Sequence, residues 1–461
     1  MNKKENMSMK NSNIKWIGII PQGWEIKRFK NYFTNIGGGN YGYDLQENSK
    51  IKLPCFSISD FKNGNLDNKN KDLIKTNRAY DKENILKKGV ILVEKSGGGE
   101  KTPVGRMVIV KEDVKAYYTN FVQGIKINNK MNENFILYIL KTTYNLRLHM
   151  KYVKQNTGLQ NFKFNNFAND LLIPVPKLEV QNKIVNFIDY NLITLSKKIK
   201  KYNKKIELLK EYKEALIYET VTKGLDKNVE MKDSGVDWIA SIPRDWSIKR
   251  VKDCIVLQGG GSDKKINKDE KEVSLINYTD VYKNKKLDKN LNYMKVTYPE
   301  DKIKKIQVYK NDLLITPTSE TADDIGKVNI VLEEMNDTVF SYHILRMRAF
   351  KNSCPFYLKY YFNSIASKLQ FNKKATGITR VTLSRNDILS NKIVLPPLNE
   401  QNKIVYFLDK KTEEIDNEVE KLYKKIELIK ELKESIIYEC VTGKLDIEKE
   451  GEKYQKIIES I

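Results

Sequence analysis

Two long stretches of this chain place apolar residues at helical spacing with charged residues between them. In the first, Leu195, Ile199, Tyr202, Ile206, Leu209 and Leu216 form the apolar set; in the second, Ile415, Val419, Leu422, Ile426, Ile429 and Ile436 occupy matching positions. Steps of three and four are the seam of a coiled coil. The pattern predicts a helix over about 178–221, roughly 66 Å long at about 1.5 Å per residue, and a second one like it. A helix with one apolar stripe must bury that stripe. The seam residues Leu195, Ile199, Ile206 and Leu209 are expected to meet Ile415, Val419, Ile426 and Ile429, with the two helices antiparallel. The alternative is that each stripe packs only on its own neighbouring body. Upstream of each helix the pattern changes to short β-type runs, among them Val90–Val93, Met107–Val110 and Val328–Val331, set between Gly- and Asn-rich turns. Helical patterns follow at Asn134–His149 and Pro355–Leu369. Pro174 and Pro176, then Pro396 and Pro397, mark the ends of these mixed α/β bodies, since proline fits neither a strand nor a helix interior.

The two stretches belong to a duplication of the whole chain. The segment Trp16–Lys30 recurs as Trp238–Lys252, 222 positions later, with 9 of 15 residues identical. The glycines Gly37, Gly38 and Gly39 recur at the same distance as Gly259, Gly260 and Gly261. Gln181-Asn-Lys-Ile-Val185 returns unchanged as Gln401-Asn-Lys-Ile-Val405, and Lys204–Asp226 matches Lys424–Asp446 at 16 of 23 positions. Between these anchors the halves differ: Lys88–Leu92 answers only loosely to Asn311–Ile315, and Gly105-Arg106 to Gly326-Lys327. Each half thus has a divergent body and a nearly invariant helical tail. The expected organisation is a tail at 1–12, a body at 13–175, a helical region at 176–226, a linker at 227–234, a second body at 235–395, a second helical region at 396–446 and a C-terminal tail at 447–461.

Composition narrows the partners. The 461 residues include 82 Lys and Arg against 59 Asp and Glu, a formal charge of +23. Such a surplus favours a polyanion, nucleic acid before an anionic membrane surface; a base-composition bias of the genome toward Lys and Asn codons would also raise it. The four cysteines, Cys55, Cys254, Cys354 and Cys440, are far apart, and only His149 and His343 are present. That excludes a zinc cluster or disulfide framework and fits a reducing cytoplasm. The N-terminus has no apolar run that would read as a signal peptide, and no stretch approaches the length of a membrane span.

Several segments imitate catalytic motifs. Gly37–Gly39 resembles a nucleotide or AdoMet loop, and Gly97–Thr102 a phosphate loop. The second lacks the spacing that wraps N–H groups around phosphates, and the first is repeated at Gly259–Gly261, as a structural turn in each half would be. No nuclease carboxylate cluster, catalytic triad or amino-methyltransferase signature is present. Glycine-rich loops carrying Tyr and Lys do suit DNA, because glycine permits close backbone approach, Lys neutralises phosphate and polar side chains reach base edges. The candidates are Gly37, Gly38, Gly39, Tyr41 and Tyr43, with Lys101, in the first half; in the second they are Gly259, Gly260, Gly261, Ser262, Lys264 and Lys265. A second pair of loops is Asn156–Asn161, with Thr157, Gln160 and Asn161, and Ala375–Arg380, with Thr376, Thr379 and Arg380. Gln160 or Asn161 suits adenine and Arg380 guanine. Ordinary solvated loops remain the alternative for all of them.

With these residues assembled, the chain resembles the DNA specificity (S) subunit of type I restriction-modification systems over nearly its whole length. The resemblance rests on the Trp-Ile-x-x-Ile-Pro-x-x-Trp opening of each half, the Thr-Gly loop, the proline-rich passage into Leu-x-x-Gln-x-x-Ile and the duplicated helix. It implies tandem α/β target recognition domains, one per half of a split asymmetric site, joined by an antiparallel helix pair under pseudo-two-fold symmetry. It also implies two modification subunits on those helices, carrying AdoMet and methylating adenine N6, and restriction subunits using ATP and Mg²⁺. The chain itself would be non-catalytic and bind no cofactor; the near-identity of the helices would reflect one partner met twice. There is one departure: the first body has Gly89-Val90 where the family usually has Gly-Asp, and the second has Asn311-Asp312, which bears on a local turn only. Alternatives are the specificity subunit of a related type II (IIB/IIG-like) enzyme, a single-chain nuclease or methyltransferase fused to its reader, and a coiled-coil structural or membrane-surface protein.

Overall fold

The structure, a computed structural model, describes residues 8–39, 51–62, 65–67, 73–76, 85–156 and 158–460. It divides into two compact units, Met1–Tyr202 with Tyr423–Ile461, and Asn203–Leu422. Two long helices, Leu178–Lys223 and Leu398–Val441, each contribute one part to either unit.

In the first unit a mixed sheet orders the strands Phe33–Gly38, Val122–Ile127, Ile91–Glu94, Met107–Ile109, Asn65–Leu66 and Phe61–Lys62. The central runs are apolar without alternation because both faces are buried. Ile91, Val93, Met107 and Ile109 face one cluster with the body helix Glu133–Asn145, while Leu92 and Val108 face a second with Phe56 and Val122. The second unit repeats this: Ile255–Gln258, Leu345–Ala349, Leu313–Ile315 and Val328–Ile330 form a sheet in the same order. Leu313 and Ile315 point to one cluster and Leu314 to another.

Within each unit the helical segments run antiparallel. In the first, Lys433 donates to Ser196 Oγ at 2.9 Å and Lys425 lies over the Tyr202 ring; in the second, Lys205 pairs with Glu418 and Lys213 with Asp416, both at 2.7 Å. Leu195, Ile206, Ile415, Ile426 and Ile429 are buried, and Ile199, Leu209 and Val419 are half-buried. The helices also pack on the bodies. Ile184 and Ile188, near the start of the first helix, and Ile436, Cys440 and Val441, at the end of the second, join the first body's core around Trp24 and Phe135.

Part of the tail's invariance has an internal cause, which corrects the attribution of that invariance to a partner alone. Gln181 is fully buried, accepts the Asn132 N–H at the start of the body helix and donates to Pro176 O; Gln401 does the same with Cys354 N and Pro396 O. Tyr218 donates to Trp238 O and Tyr438 to Trp16 O. The glycine that ends each helix packs against a body tryptophan: a Cβ on Gly224 would lie 3.1 Å from the Trp246 ring, and one on Gly443 equally close to Trp24.

Several local expectations change. The pattern at Pro355–Leu369 forms two helices, Pro355–Asn363 and Ile365–Lys374, which share Ser364 as a cap, and that at Asn134–His149 breaks at Arg147, whose φ is +59°. Pro174 lies inside a strand, Leu172–Val175, opposite Ile26. That strand has a single partner, so the missing N–H faces the free edge. The loose match of Lys88–Leu92 to Asn311–Ile315 shifts by one, because Gly89 and Asn311 share positive φ and donate to Val110 O and Val331 O. The bodies begin earlier than residues 13 and 235, since Met9–Asn11 pairs with Ile19–Pro21 and Met231–Asp233 with Ser241–Pro243. Within the segment expected as a C-terminal tail, Ile447–Ser460 is a helix whose Glu448 pairs with Lys183 and whose Ile458 is buried.

His149 is fully buried between Tyr144 and Phe162, at ring distances of 4.7 and 5.6 Å. Burial first, then the charge of Arg147, pushes its pKa down to about 4. Below its ordinary value the unfolded chain takes up a proton that the folded one refuses, so stability is intact above about pH 6.5 and falls toward pH 4, by up to about 3 kcal/mol. Thermal melts between pH 7 and 4.5 should show this loss in the wild type, and a shallower one in His149→Phe; equal slopes would mean that His149 is protonated in the fold.

Candidate nucleic-acid interface

In the second unit the two loops singled out above meet at one end of the sheet. Tyr342 N donates to Ser262 O, and Leu383 N to Pro317 O, while Thr318-Ser319 pairs with Val381-Thr382. These bonds bring Gly259–Lys265, Tyr342-His343 and Thr376–Arg380 together. Lys264, Lys265, Thr376, Thr379 and Arg380 are exposed, and Ile378 at the loop tip is fully so. The His343 imidazole is held below its ordinary value by burial and then by the charges of Arg380 and Lys264, with Asp263 opposing them. Its ring lies 3.8 Å from that of Tyr342. Arg385 completes the group, with its guanidinium over Gly259.

The first unit has the same framework. Gly97 pairs with Gln160, Ser96 Oγ donates to Asn161 Oδ1 at 2.7 Å, and both Lys95 N and Ser96 N donate to Phe121 O. The half-buried Asn161 and the exposed Lys101 loop therefore share one end of the sheet, next to Gly37–Gly39, since Gly39 N donates to Val122 O. Tyr41, Tyr43 and Thr157 lie outside the described residues. Gly158 and Gly377, both with positive φ, turn the two Thr-Gly loops.

Three expectations are corrected. Gln160 is 6% exposed and its Oε1 accepts the Val104 N–H at 3.0 Å, so the edge expected to face a base serves the fold. Ser262 is 1% exposed and donates to Asp263 O. The glycines serve close approach of the chain to itself: a Cβ on Gly39 would fall 1.9 Å from Tyr118 O, one on Gly261 2.2 Å from Phe340 O, and one on Gly259 2.2 Å from Arg385. A Cβ on Gly37 or Gly260 would meet open space. Sequence reading missed Tyr342, His343 and Arg385. Arg385 follows the Thr-Gly loop closely, but nothing local marks Tyr342-His343; the strand pairing brings them there.

Among the described residues no group of three or more His, Cys, Asp and Glu is placed to hold a metal ion, and no helix is long and apolar enough to cross a membrane. The model of the type I restriction modification DNA specificity domain matches residues 21–210 and again 243–428. The chain belongs to that family. Among its relatives is the type I restriction enzyme MjaVIII specificity subunit of Methanocaldococcus jannaschii, 23% identical and covering 93% of this chain and 94% of that one. Another is the EcoKI specificity subunit of Escherichia coli, 20% identical over 93% and 90%. In fold, the specificity-domain chain is similar to a solved chain of a type I R-M system, with a TM-score of 0.70, 15% identity and coverage of 92% and 99%. It is also similar to the HsdS subunit of Thermoanaerobacter tengcongensis, with a TM-score of 0.53, 16% identity and coverage of 92% and 98%. The matched relatives are type I specificity subunits, which supports that reading over the type II alternative and makes this chain a specificity subunit.

The departure at Gly89-Val90 now has a physical setting. Asp312 is buried, accepts Tyr309 N–H and is held by Arg348 at 2.7 and 2.8 Å, beside Arg346. By strand register Val90 stands where Asp312 does, and Gly124 and Lys126 stand where Arg346 and Arg348 do. The first unit has lost the buried acid and its buried cation together.

Proposed function

We propose that this specificity subunit reads a split, asymmetric DNA site, one half per body, through the loops gathered at the sheet end of each unit. The observation that carries this is the convergence, in the second unit, of two loops over 100 residues apart at one end of the sheet, where Lys264, Arg380 and Arg385 are exposed. Lys264 and Lys265 suit phosphate, and Arg380 suits a guanine edge. In the first unit Asn161 and Lys101 take these parts, so one framework would read two sequences. Two modification subunits and the restriction subunits would dock on the helices. Leu208 and Leu428, identical by duplication and 50% and 58% exposed, favour one partner used twice. In this reading the chain binds no cofactor and works in the cytoplasm; AdoMet, ATP and Mg²⁺ act on the partners, which methylate adenine and cleave.

The test is equilibrium binding of the complex assembled with its modification subunits to cognate duplex across a salt series. Affinity should fall steeply with salt, and Lys264→Gln should weaken all sequences and reduce the slope by about 1. Arg380→Gln should cost about 1–3 kcal/mol and relax one base position in the half-site read by the second body. A flat salt profile would count against the DNA surface, and DNA cleavage or methylation by the chain alone would refute the non-catalytic reading.

A further inference from the structure

A cavity of about 530 Å³ in the first unit lies where the body meets the paired helices. Five lysines line it: Lys111 from the body, Lys141 from the body helix, Lys197 and Lys200 from the first long helix, and Lys433 from the second. The acid there is Asp189, which already accepts the Tyr138 hydroxyl. Among the described residues, none of the five lysines is paired with a carboxylate; Lys433 reaches only Ser196 Oγ, at 2.9 Å. Burial pulls the Lys141 pKa down to about 8; Asp189 opposes the fall, and Lys111 and Lys433 add smaller repulsions to it. Leu137 and Leu192 give the cavity an apolar wall. A second cavity of about 490 Å³ shares Lys141 and Lys433 and extends the space past Arg106 and Glu434.

The duplication supplies an internal control. In the second unit the helix position of Ser196 is held by Asp416, that of Lys200 by Glu420 and that of Lys197 by Asn417; Lys213 stands for Lys433 and Leu332 for Lys111. There Asp416 takes Lys213 at 2.7 Å and Lys285 at 3.0 Å. The second copy thus has a helix carboxylate, Asp416, paired with its lysines, whereas the first has Ser196 at that place and Asp189 as the acid lining the cavity. A cluster of cations held at a concave, partly apolar site costs stability unless an anion joins it.

We propose that the cleft of the first unit binds a small molecule bearing several phosphates, with the lysines as its counter-ions. The volume suits a nucleoside polyphosphate, being within the range of about 300–1,000 Å³ for small-ligand sites, and the apolar wall would take its base. The site is on the flank where the helices pack, separate from the sheet-end loops assigned to DNA.

The experiment is isothermal titration of the full chain with inorganic tripolyphosphate, and with ATP in the absence of divalent cations. One saturable site is expected for each probe. Ser196→Asp, which installs the second unit's carboxylate beside Lys433, should weaken both by about tenfold or more while raising the melting temperature of the free protein. A misfolded variant would lower both readings, so the opposite signs isolate the effect. Lys141→Gln should weaken binding similarly. The proposal is overturned by the absence of a saturable site, by unchanged affinity in both variants, or by binding of polyglutamate but not tripolyphosphate, which would assign the cleft to an acidic protein segment.

Discussion

Asp312→Ala is expected to destabilise the second unit by about 3–5 kcal/mol, a large share of the roughly 5–15 kcal/mol that holds a domain together. The carboxylate is buried beneath Arg348, bonded through both oxygens, and beside Arg346, which is itself buried. Arg346 also donates to Gln258, Gln307 O and Lys305 O, so it has no path to water when Asp312 is removed. Its charge would be left uncompensated inside the unit, and the Tyr309 N–H would lose its acceptor. The cost belongs to the broken pair rather than to a loss of apolar packing. Replacing both members, as in Asp312→Leu with Arg346→Met, should therefore recover most of it. Urea unfolding followed by circular dichroism measures both variants; a double variant no better than Asp312→Ala would show that the site depends on charge for its shape. The first unit, with Val90 and Gly124 at these places, already does without the pair.

Exchanging the first body for that of a relative should change one half of the methylated site completely and leave the other half as it was. Each unit has its own sheet and its own core, and the helix-end bonds to the bodies are made largely to backbone: Tyr438 to Trp16 O, Tyr218 to Trp238 O, Gln181 to Asn132 N and Pro176 O. A foreign body with the same turn and helix start would satisfy them. The junction should fall before Met9 rather than at residue 13, because a cut at 13 would separate Met9–Asn11 from its partner Ile19–Pro21. Methylation mapping of DNA from cells carrying the exchanged subunit reads the outcome directly. Changes in both halves of the site would defeat the assignment of one half to each body.

The sequence alone determined the features that repeat. Apolar spacing predicted both long helices and their seam, since a stripe at three and four residues has no other use than burial on one side. The duplication marked out two bodies, and the Thr-Gly loops were correctly matched across the halves through their glycines. What repetition could not show was which side of the chain a polar residue faces. Gln160 and Ser262 look like surface readers in sequence, yet both are buried and bond to backbone, whereas Tyr342-His343, unremarked in sequence, are brought to the loops by the bond from Tyr342 N to Ser262 O, and Arg385, just past the Thr-Gly loop, comes to lie over Gly259. Glycine was similarly ambiguous: Gly39 and Gly261 are needed because another stretch of the same chain passes within contact of each. The charge imbalance of the first unit's cleft was equally hidden, because Lys111, Lys141, Lys197, Lys200 and Lys433 lie on four separate segments. Local periodicity fixes which residues must be buried; only the tertiary structure decides which charges and polar edges are left facing the same space.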